Sequence, residues 1–112
     1  MKYEYPRIIQ IMPCNHMWLR YDDRETDTCI YERANCLALQ EDKKFDGAIY
    51  SDIGYMSIDS DGLCDSVPGY SGVFYCEEDL SDLTHSLSDE RHPSKILESL
   101  QHSKMLEALN IK

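Results

Sequence analysis

The chain has 112 residues, of which 42% are apolar and 10% aromatic, and its formal net charge at pH 7 is −10. This length allows one domain with a small core, and the apolar content excludes general disorder. The negative charge disfavours direct binding to nucleic acid and to anionic lipid, because both ligands carry phosphate. No apolar run approaches the ~20 residues that a membrane-spanning helix needs.

The cysteine pattern indicates a reducing compartment. The sequence contains five cysteines at irregular spacing, without a C-x-x-C pair, and its first residues lack the apolar stretch of a signal peptide. An odd count without a leader is not the pattern of a secreted disulfide framework. We therefore expect a cytoplasmic protein in which most of these thiols are reduced and half-buried. They are Cys14, Cys29, Cys36, Cys64 and Cys76.

Short β-branched and aromatic stretches occupy most of the first 76 residues. The first is Arg7–Met12, which lies between Pro6 and Pro13. Similar stretches follow at 17–21, 28–31, 35–40, 48–50, 55–58 and 73–76, and the two around 51–54 suggest a hairpin. Their spacing of about 8–12 residues predicts a five- or six-stranded antiparallel β-barrel over residues 5–76.

The sequence changes character after Cys76. Leu80, Leu83 and Leu87 fall at i, i+3 and i+7, which predicts a short helix starting near Glu77–Asp79. Acidic residues suit the first turn of a helix because of the helix dipole. Residues 77–112 would then form a two-helix tail of a single α+β domain that spans residues 1–112.

Pro93 suits the first position of the second helix, which would end near Asn110. Its apolar residues lie on two nearly opposite sides at 100° per residue. Two interpretations stay open: the helix breaks near His102, or it is held between its own barrel and another subunit, which would form a homo-oligomer. One side carries Ile96, Leu97 and Leu100, and the other carries Met105, Leu106 and Leu109.

The excess negative charge lies in one segment of the chain. Residues 45–90 contain eleven acids and no Lys or Arg, whereas residues 1–44 contain seven basic and eight acidic side chains, and residues 91–112 contain four and two. Tyrosines are interleaved with these acids at positions 50, 55, 70 and 75. The acids are Asp46, Asp52, Asp59, Asp61, Asp65, Glu77, Glu78, Asp79, Asp82, Asp89 and Glu90.

Two interpretations of this segment compete. In one, the charge only keeps a small protein soluble and monomeric. In the other, the segment docks on a basic, nucleic-acid-binding partner protein, with carboxylates steering the encounter and tyrosines anchoring it. Such a protein would be a nucleic-acid mimic and an inhibitor or regulator. The partner-binding residues would be Asp52, Tyr55, Asp59, Asp61, Asp65, Tyr70, Tyr75, Glu77, Glu78, Asp79 and Asp82.

The sequence offers no convincing catalytic, cofactor or metal-binding set, so we expect a protein that is not an enzyme. Cys14 and His16 have no identifiable third group to orient them. His85, His92 and His102 match no familiar ligand spacing. The stretch 59–62, DSDG, lacks the remaining ligands of a calcium loop and predicts a tight turn.

The first part of the chain resembles small uncharacterised bacterial and prophage proteins that begin with an "IIQI-x-P" strand. The resemblance lies in RIIQIMP at 7–13, WLRY at 18–21 and CLAL at 36–39. The likeness covers roughly the first 60 residues. It implies a small β-barrel of the SH3-like type and carries no functional residue. By analogy of fold and size alone, small acidic phage proteins are often inhibitors of host machinery, including defence nucleases, which would make this an anti-defence protein.

Two further function classes remain as alternatives. One is a barrel that binds a small ligand or nucleotide derivative at its mouth, which requires a concave site with a few convergent polar groups. The other is a homo-oligomeric structural protein whose subunits join through the C-terminal helix.

Overall fold

In the computed structural model, which describes residues 5–58, 60 and 62–109, the chain forms two open antiparallel sheets and one helix. The elements are β1 Arg7–Pro13, β2 Met17–Asp23, β3 Thr28–Arg33, β4 Cys36–Lys43, β5 Ile49–Met56, β6 Tyr70–Tyr75, β7 Thr84–His85 and α1 Pro93–Leu109. The small sheet has the strand order β1-β4-β5, and the large sheet has the order β6-β2-β3-β7. A 3-10 turn, Cys64–Ser66, lies between β5 and β6 in sequence.

The prediction of a closed SH3-like barrel was wrong. Strands occur near most of the predicted positions, but β5 does not pair with β6, so neither sheet closes. The intervening chain carries Leu63 and Cys64 into buried positions, and the 3-10 turn contacts both β5 and β6. Because this segment packs between the two strands, their edges do not meet.

The predicted hairpin around 51–54 was also wrong, because residues 49–56 form one continuous strand, β5. The actual turn lies between β4 and β5, where Gly47 has a φ of +90°. Gly54 lies within β5, where a Cβ atom would come within 3.3 Å of the Leu63 side chain. This glycine therefore permits close packing rather than a turn.

Both faces of the large sheet are covered. Trp18 and Leu19 are neighbours on β2, so their side chains point to opposite faces, and each is fully buried. The first cluster consists of Trp18, Cys29, Tyr31, Cys76, Leu80, Leu83 and Ile96, and the second is built around Leu19, Ala34 and Cys64. The large sheet thus holds the main core of the protein.

The helix predicted to start near Glu77–Asp79 is absent, and the described part of the tail, residues 77–109, contains one helix rather than two. Leu80 and Leu83 are buried, but a turn rather than a helix joins them, with the Leu83 amide donating to the Leu80 carbonyl at 3.1 Å. Thr84 and His85 then pair with β3 as a two-residue edge strand. The segment is rich in Ser and Asp, whose side chains hydrogen-bond to nearby backbone and compete with helix formation.

Helix α1 continues from Pro93 to Leu109 without a break near His102. Only its first turn is anchored, through buried Pro93 and Ile96, and every residue from 98 to 109 is exposed. The chain is accordingly long, with principal extents of 67 × 31 × 25 Å. The radius of gyration of 18.1 Å exceeds the ~13 Å expected for a compact domain of this length.

Candidate protein-binding surface

An acidic loop, residues 77–83, follows β6 and is fixed to the core at both ends. Cys76 precedes it, donating its amide to the His16 carbonyl at 2.8 Å and accepting the Trp18 indole N–H at 3.1 Å. Leu80 and Leu83 are buried within and at the end of it. The carboxylates therefore lie on a backbone that buried side chains hold in place. The exposed acids of this loop are Glu77, Glu78, Asp79 and Asp82.

Tyr75 lies at the start of the acidic loop with 55% of its surface exposed. Its hydroxyl donates a hydrogen bond of 2.8 Å to Oε1 of Glu77, and this bond raises the pKa of Tyr75. The His16 ring packs edge-on against the Tyr75 ring at a centroid distance of 5.8 Å. The result is an exposed aromatic ring held beside a carboxylate, a combination suited to anchoring a partner.

Asp79 is the most constrained of the four acids. It accepts hydrogen bonds from the hydroxyl and the amide of Ser81, and these bonds lower the pKa of Asp79. Its Oδ1 also lies 4.0 Å from the Arg33 guanidinium, which sits 4.7 Å above the Trp18 ring. In the part of the chain that the structure describes, no ion pair involves Glu77, Glu78 or Asp82. These three carboxylates are the ones available to a basic partner.

The other two tyrosines of the predicted surface are partly buried. Tyr55 packs against the second core cluster, and Tyr70 packs edge-on against Tyr21 at 6.0 Å. Burial raises the pKa of Tyr70, and the nearby Asp65 carboxylate adds to the shift. Both rings contribute to the core more than to an exposed anchor.

The other described acids of the predicted surface, Asp52 and Asp65, do not join the acidic loop. Asp65 is exposed in the 3-10 turn, near the start of β6, whereas the acidic loop follows the end of that strand. Asp52 is exposed on β5 in the small sheet. Asp59 and Asp61 lie outside the described residues. Of the nine predicted residues that the structure describes, it therefore groups Tyr75, Glu77, Glu78, Asp79 and Asp82.

Three of the side chains considered for catalysis or metal binding, Cys14, His16 and His92, have structural partners. The Cys14 thiol donates to the Ala34 carbonyl at 3.5 Å, and burial raises the pKa of Cys14. His16 contacts Tyr75, and His92 packs against the Phe74 ring at 5.8 Å. Among the described residues, no three His, Cys, Asp or Glu side chains gather as a metal site. All five cysteines are free thiols.

The hollows on the surface are shallow and open. One of them, about 600 Å³, lies along helix α1 and is lined by Arg91, His92, Lys95, Glu98, Ser99 and His102. The barrel mouth that was predicted as a ligand site does not exist, because no barrel closes.

Sequence reasoning missed the contributions of His16 and Arg33 to this surface. His16, which lies between β1 and β2, contacts Tyr75, and Arg33, at the end of β3, lies beside Asp79. Both residues are distant in sequence from the acidic loop. No local pattern marks such contacts, since they depend on how β6 is placed beside β2.

The fold and the surface together define a small two-sheet β protein with an anchored acidic loop. Comparisons with protein-family models, curated proteins and solved structures found no match. Among the described residues, the helix that does form falls short of the length and apolar character required to cross a bilayer.

Proposed function

We propose that this protein is a non-enzymatic protein-binding module that docks its acidic loop on a basic surface of a nucleic-acid-binding partner. One observation carries the proposal: Glu77, Glu78 and Asp82 are exposed on a loop that is fixed to the core by buried Leu80 and Leu83. A preorganised row of carboxylates loses little conformational freedom on binding.

The absence of a helix at 77–92 supports a role for these acids beyond local structure. At a helix N-terminus, adjacent carboxylates would be stabilised by the helix dipole. Here the acidic loop begins no helix, so Glu77 and Glu78 gain nothing from that effect. Like charges placed side by side repel each other, and a basic partner would relieve that repulsion.

The exposed Tyr75 ring completes the proposed docking surface. Rim carboxylates mainly accelerate association, whereas a desolvated aromatic side chain contributes to the lifetime of a complex. Competition with nucleic acid for the same basic surface would make the protein an inhibitor or regulator of its partner. An anti-defence role in a phage or prophage, and a cytoplasmic location suited to five free thiols, belong to this proposal.

The test is capture of partners from a lysate of the source organism across a salt series, followed by competition with DNA. The decisive variant carries Glu77→Lys, Glu78→Lys and Asp82→Lys, and leaves Asp79 with its partners Ser81 and Arg33. The matched control carries Glu25→Lys, Glu98→Lys and Glu107→Lys, which are exposed acids elsewhere. Both variants change the net charge by +6, from −10 to −4.

We expect a basic nucleic-acid-binding protein that is released as salt rises, that is lost from the first variant and that is retained by the control. The captured protein should also lose bound DNA when the acidic protein is added. Equal loss from both variants would mean that only total charge matters, and equal retention by both would remove the acidic loop from any docking role.

A further inference from the structure

The turn between β4 and β5 carries a fully exposed phenylalanine. The relative exposure of Phe45 is 112%, the highest among the large apolar residues that the structure describes. The other phenylalanine of the chain, Phe74, packs against the first core cluster. Turns ordinarily carry glycine, proline or small polar residues, and an aromatic ring adds nothing to their geometry. The fold therefore gives no reason for a phenylalanine at this place. We call the turn, residues 44–48, the aromatic tip.

The backbone of the aromatic tip is held in one conformation. The Gly47 amide donates to the Lys44 carbonyl at 2.9 Å, and the Lys44 amide donates to the Ala48 carbonyl at 2.7 Å. The Ala48 amide also donates to Oδ1 of Asp46 at 3.0 Å. Gly47 takes the positive φ, +90°, that closes a three-residue hairpin loop. A ring carried on a preorganised turn loses little conformational freedom when a partner buries it.

The lysines next to this ring are engaged with tyrosines. The Lys43 ammonium lies 5.7 Å from the centre of the Tyr5 ring, and the Lys44 ammonium lies 5.8 Å from the centre of the Tyr50 ring. The turn and its flanking residues, 42–50, contain two lysines and two aspartates. The aromatic tip is thus neutral in a chain of net charge −10, and what it presents is an apolar ring.

The shape and charge of the aromatic tip indicate the kind of partner that fits. A single ring projecting from a narrow turn is convex, so its complement is a concave apolar pocket, and one buried aromatic anchor can dominate a protein interface. A lipid surface fits poorly, because even a whole acyl chain gives only marginal membrane binding and this ring lies between Asp42 and Asp46. A second copy fits poorly as well, because two chains of net charge −10 repel each other.

The aromatic tip and the acidic loop lie beyond opposite ends of β1. Strand β4 runs antiparallel to β1, so the tip follows the end of β4 that pairs with Arg7. His16, which contacts Tyr75 at the start of the acidic loop, follows the other end of β1 at Pro13. The seven residues of β1 separate these ends by roughly 20 Å, at about 3.3 Å per residue. One partner surface can therefore occupy the tip while another occupies the loop.

We propose that the aromatic tip is a second docking site, at which Phe45 inserts into an apolar pocket of a partner protein. This contact is apolar, whereas the contact proposed for the acidic loop is ionic, so the two respond differently to salt. The inference does not depend on what the acidic loop binds.

The test places a photoreactive benzoyl-phenylalanine at position 45 of the full-length protein in cells of the source organism, where light links it covalently to its nearest neighbour. The control carries the same group in place of Ile58, which is 81% exposed in another turn. We expect position 45 to give a crosslinked protein that position 58 does not give. An excess of the wild-type protein should suppress this crosslink, and an excess of the Phe45→Ser protein should not.

The second measurement is the affinity of the purified crosslinked partner for the unlabelled protein. Phe45→Ser should raise the dissociation constant by at least about tenfold, because it removes the anchor. Ile58→Ser should leave the dissociation constant unchanged, and so should added salt, because the contact contains no ion pair. Both variants should keep the far-ultraviolet circular dichroism of the wild type, since both residues are exposed.

The identity of the crosslinked product decides between the proposal and its alternatives. A product of twice 13.0 kDa would mean that the tip contacts a second copy, and a lipid product would mean that it contacts a membrane. No product at position 45, or the same products at positions 45 and 58, would mean that the ring has no specific partner. Equal dissociation constants for the wild type and Phe45→Ser would mean that the ring is not an anchor. Each of these results would overturn the proposal.

Discussion

The hydroxyl of Tyr31 lies 2.6 Å from Nε2 of His85, and this buried hydrogen bond joins β3 to the two-residue strand β7. Nδ1 of His85 lies 2.8 Å from the Ser86 carbonyl, which can only accept, so Nδ1 carries the hydrogen. Nε2 therefore accepts from Tyr31. Burial raises the pKa of Tyr31, which keeps its hydroxyl a donor. This pair fixes the chain just after the acidic loop.

Tyr31→Phe should destabilise the protein, because it leaves the buried Nε2 of His85 without its donor. We expect a loss of about 1–3 kcal/mol in the free energy of unfolding, measured by urea denaturation. Tyr75→Phe is the control, since it removes the hydroxyl of an exposed tyrosine. It should change the same quantity by no more than about 0.5 kcal/mol. Equal effects of the two substitutions would contradict the role assigned to the Tyr31–His85 bond.

Leu80→Ala should loosen the acidic loop as well as the core. Leu80 is fully buried in the first core cluster, so the cavity should cost about 2–5 kcal/mol of unfolding free energy. Hydrogen exchange should also accelerate at the amides of residues 77–83, because the Leu80 side chain no longer packs this loop against the core. Leu100→Ala, at a residue 44% exposed on α1, should do neither. Unchanged exchange in the loop would show that Leu80 does not hold it.

The pKa of Asp89 should lie well below that of an ordinary aspartate. Its hydrogen bonds from the Arg91 guanidinium, at 2.7 and 2.9 Å, lower the pKa of Asp89 to about 2. The folded-state pKa lies below the unfolded value of about 3.9, so any stability from this pair is complete above pH 4 and is lost as the pH falls through about 2. Carboxyl ¹³C shifts measured against pH should show this. Arg91→Gln should return the pKa most of the way to its ordinary value, and an unshifted wild-type Asp89 would contradict the contact.

Removing residues 101–112 should leave the body of the protein intact. Every residue from 101 to 109 is exposed, and the buried contacts of α1 are those of Pro93 and Ile96. We expect the unfolding free energy of the body to change by no more than about 0.5 kcal/mol, with a smaller helical signal. A loss of several kcal/mol would show that the end of the helix packs on the body.

The strands could be predicted from sequence because their signals are local. The β-branched stretch bounded by Pro6 and Pro13 and the aromatic stretch after His16 both form strands near the predicted bounds. The helix predicted from the spacing of Leu80, Leu83 and Leu87 does not form. An i, i+3, i+7 pattern records which side chains are apolar and not whether serine and aspartate turns replace the helix.

The sequence by itself determined that the chain is strongly acidic, that its acids cluster in residues 45–90 and that the first 76 residues form short strands. Tertiary structure alone decided that the strands make two open sheets. The sheets stay open because the segment that carries Leu63 packs between β5 and β6 and keeps these two strands from pairing. It also decided that Tyr55 and Tyr70 are withdrawn into the core, whereas Tyr75 stays exposed beside the acidic loop. Contacts such as Arg33 with Asp79 join distant parts of the chain, and no local pattern encodes them.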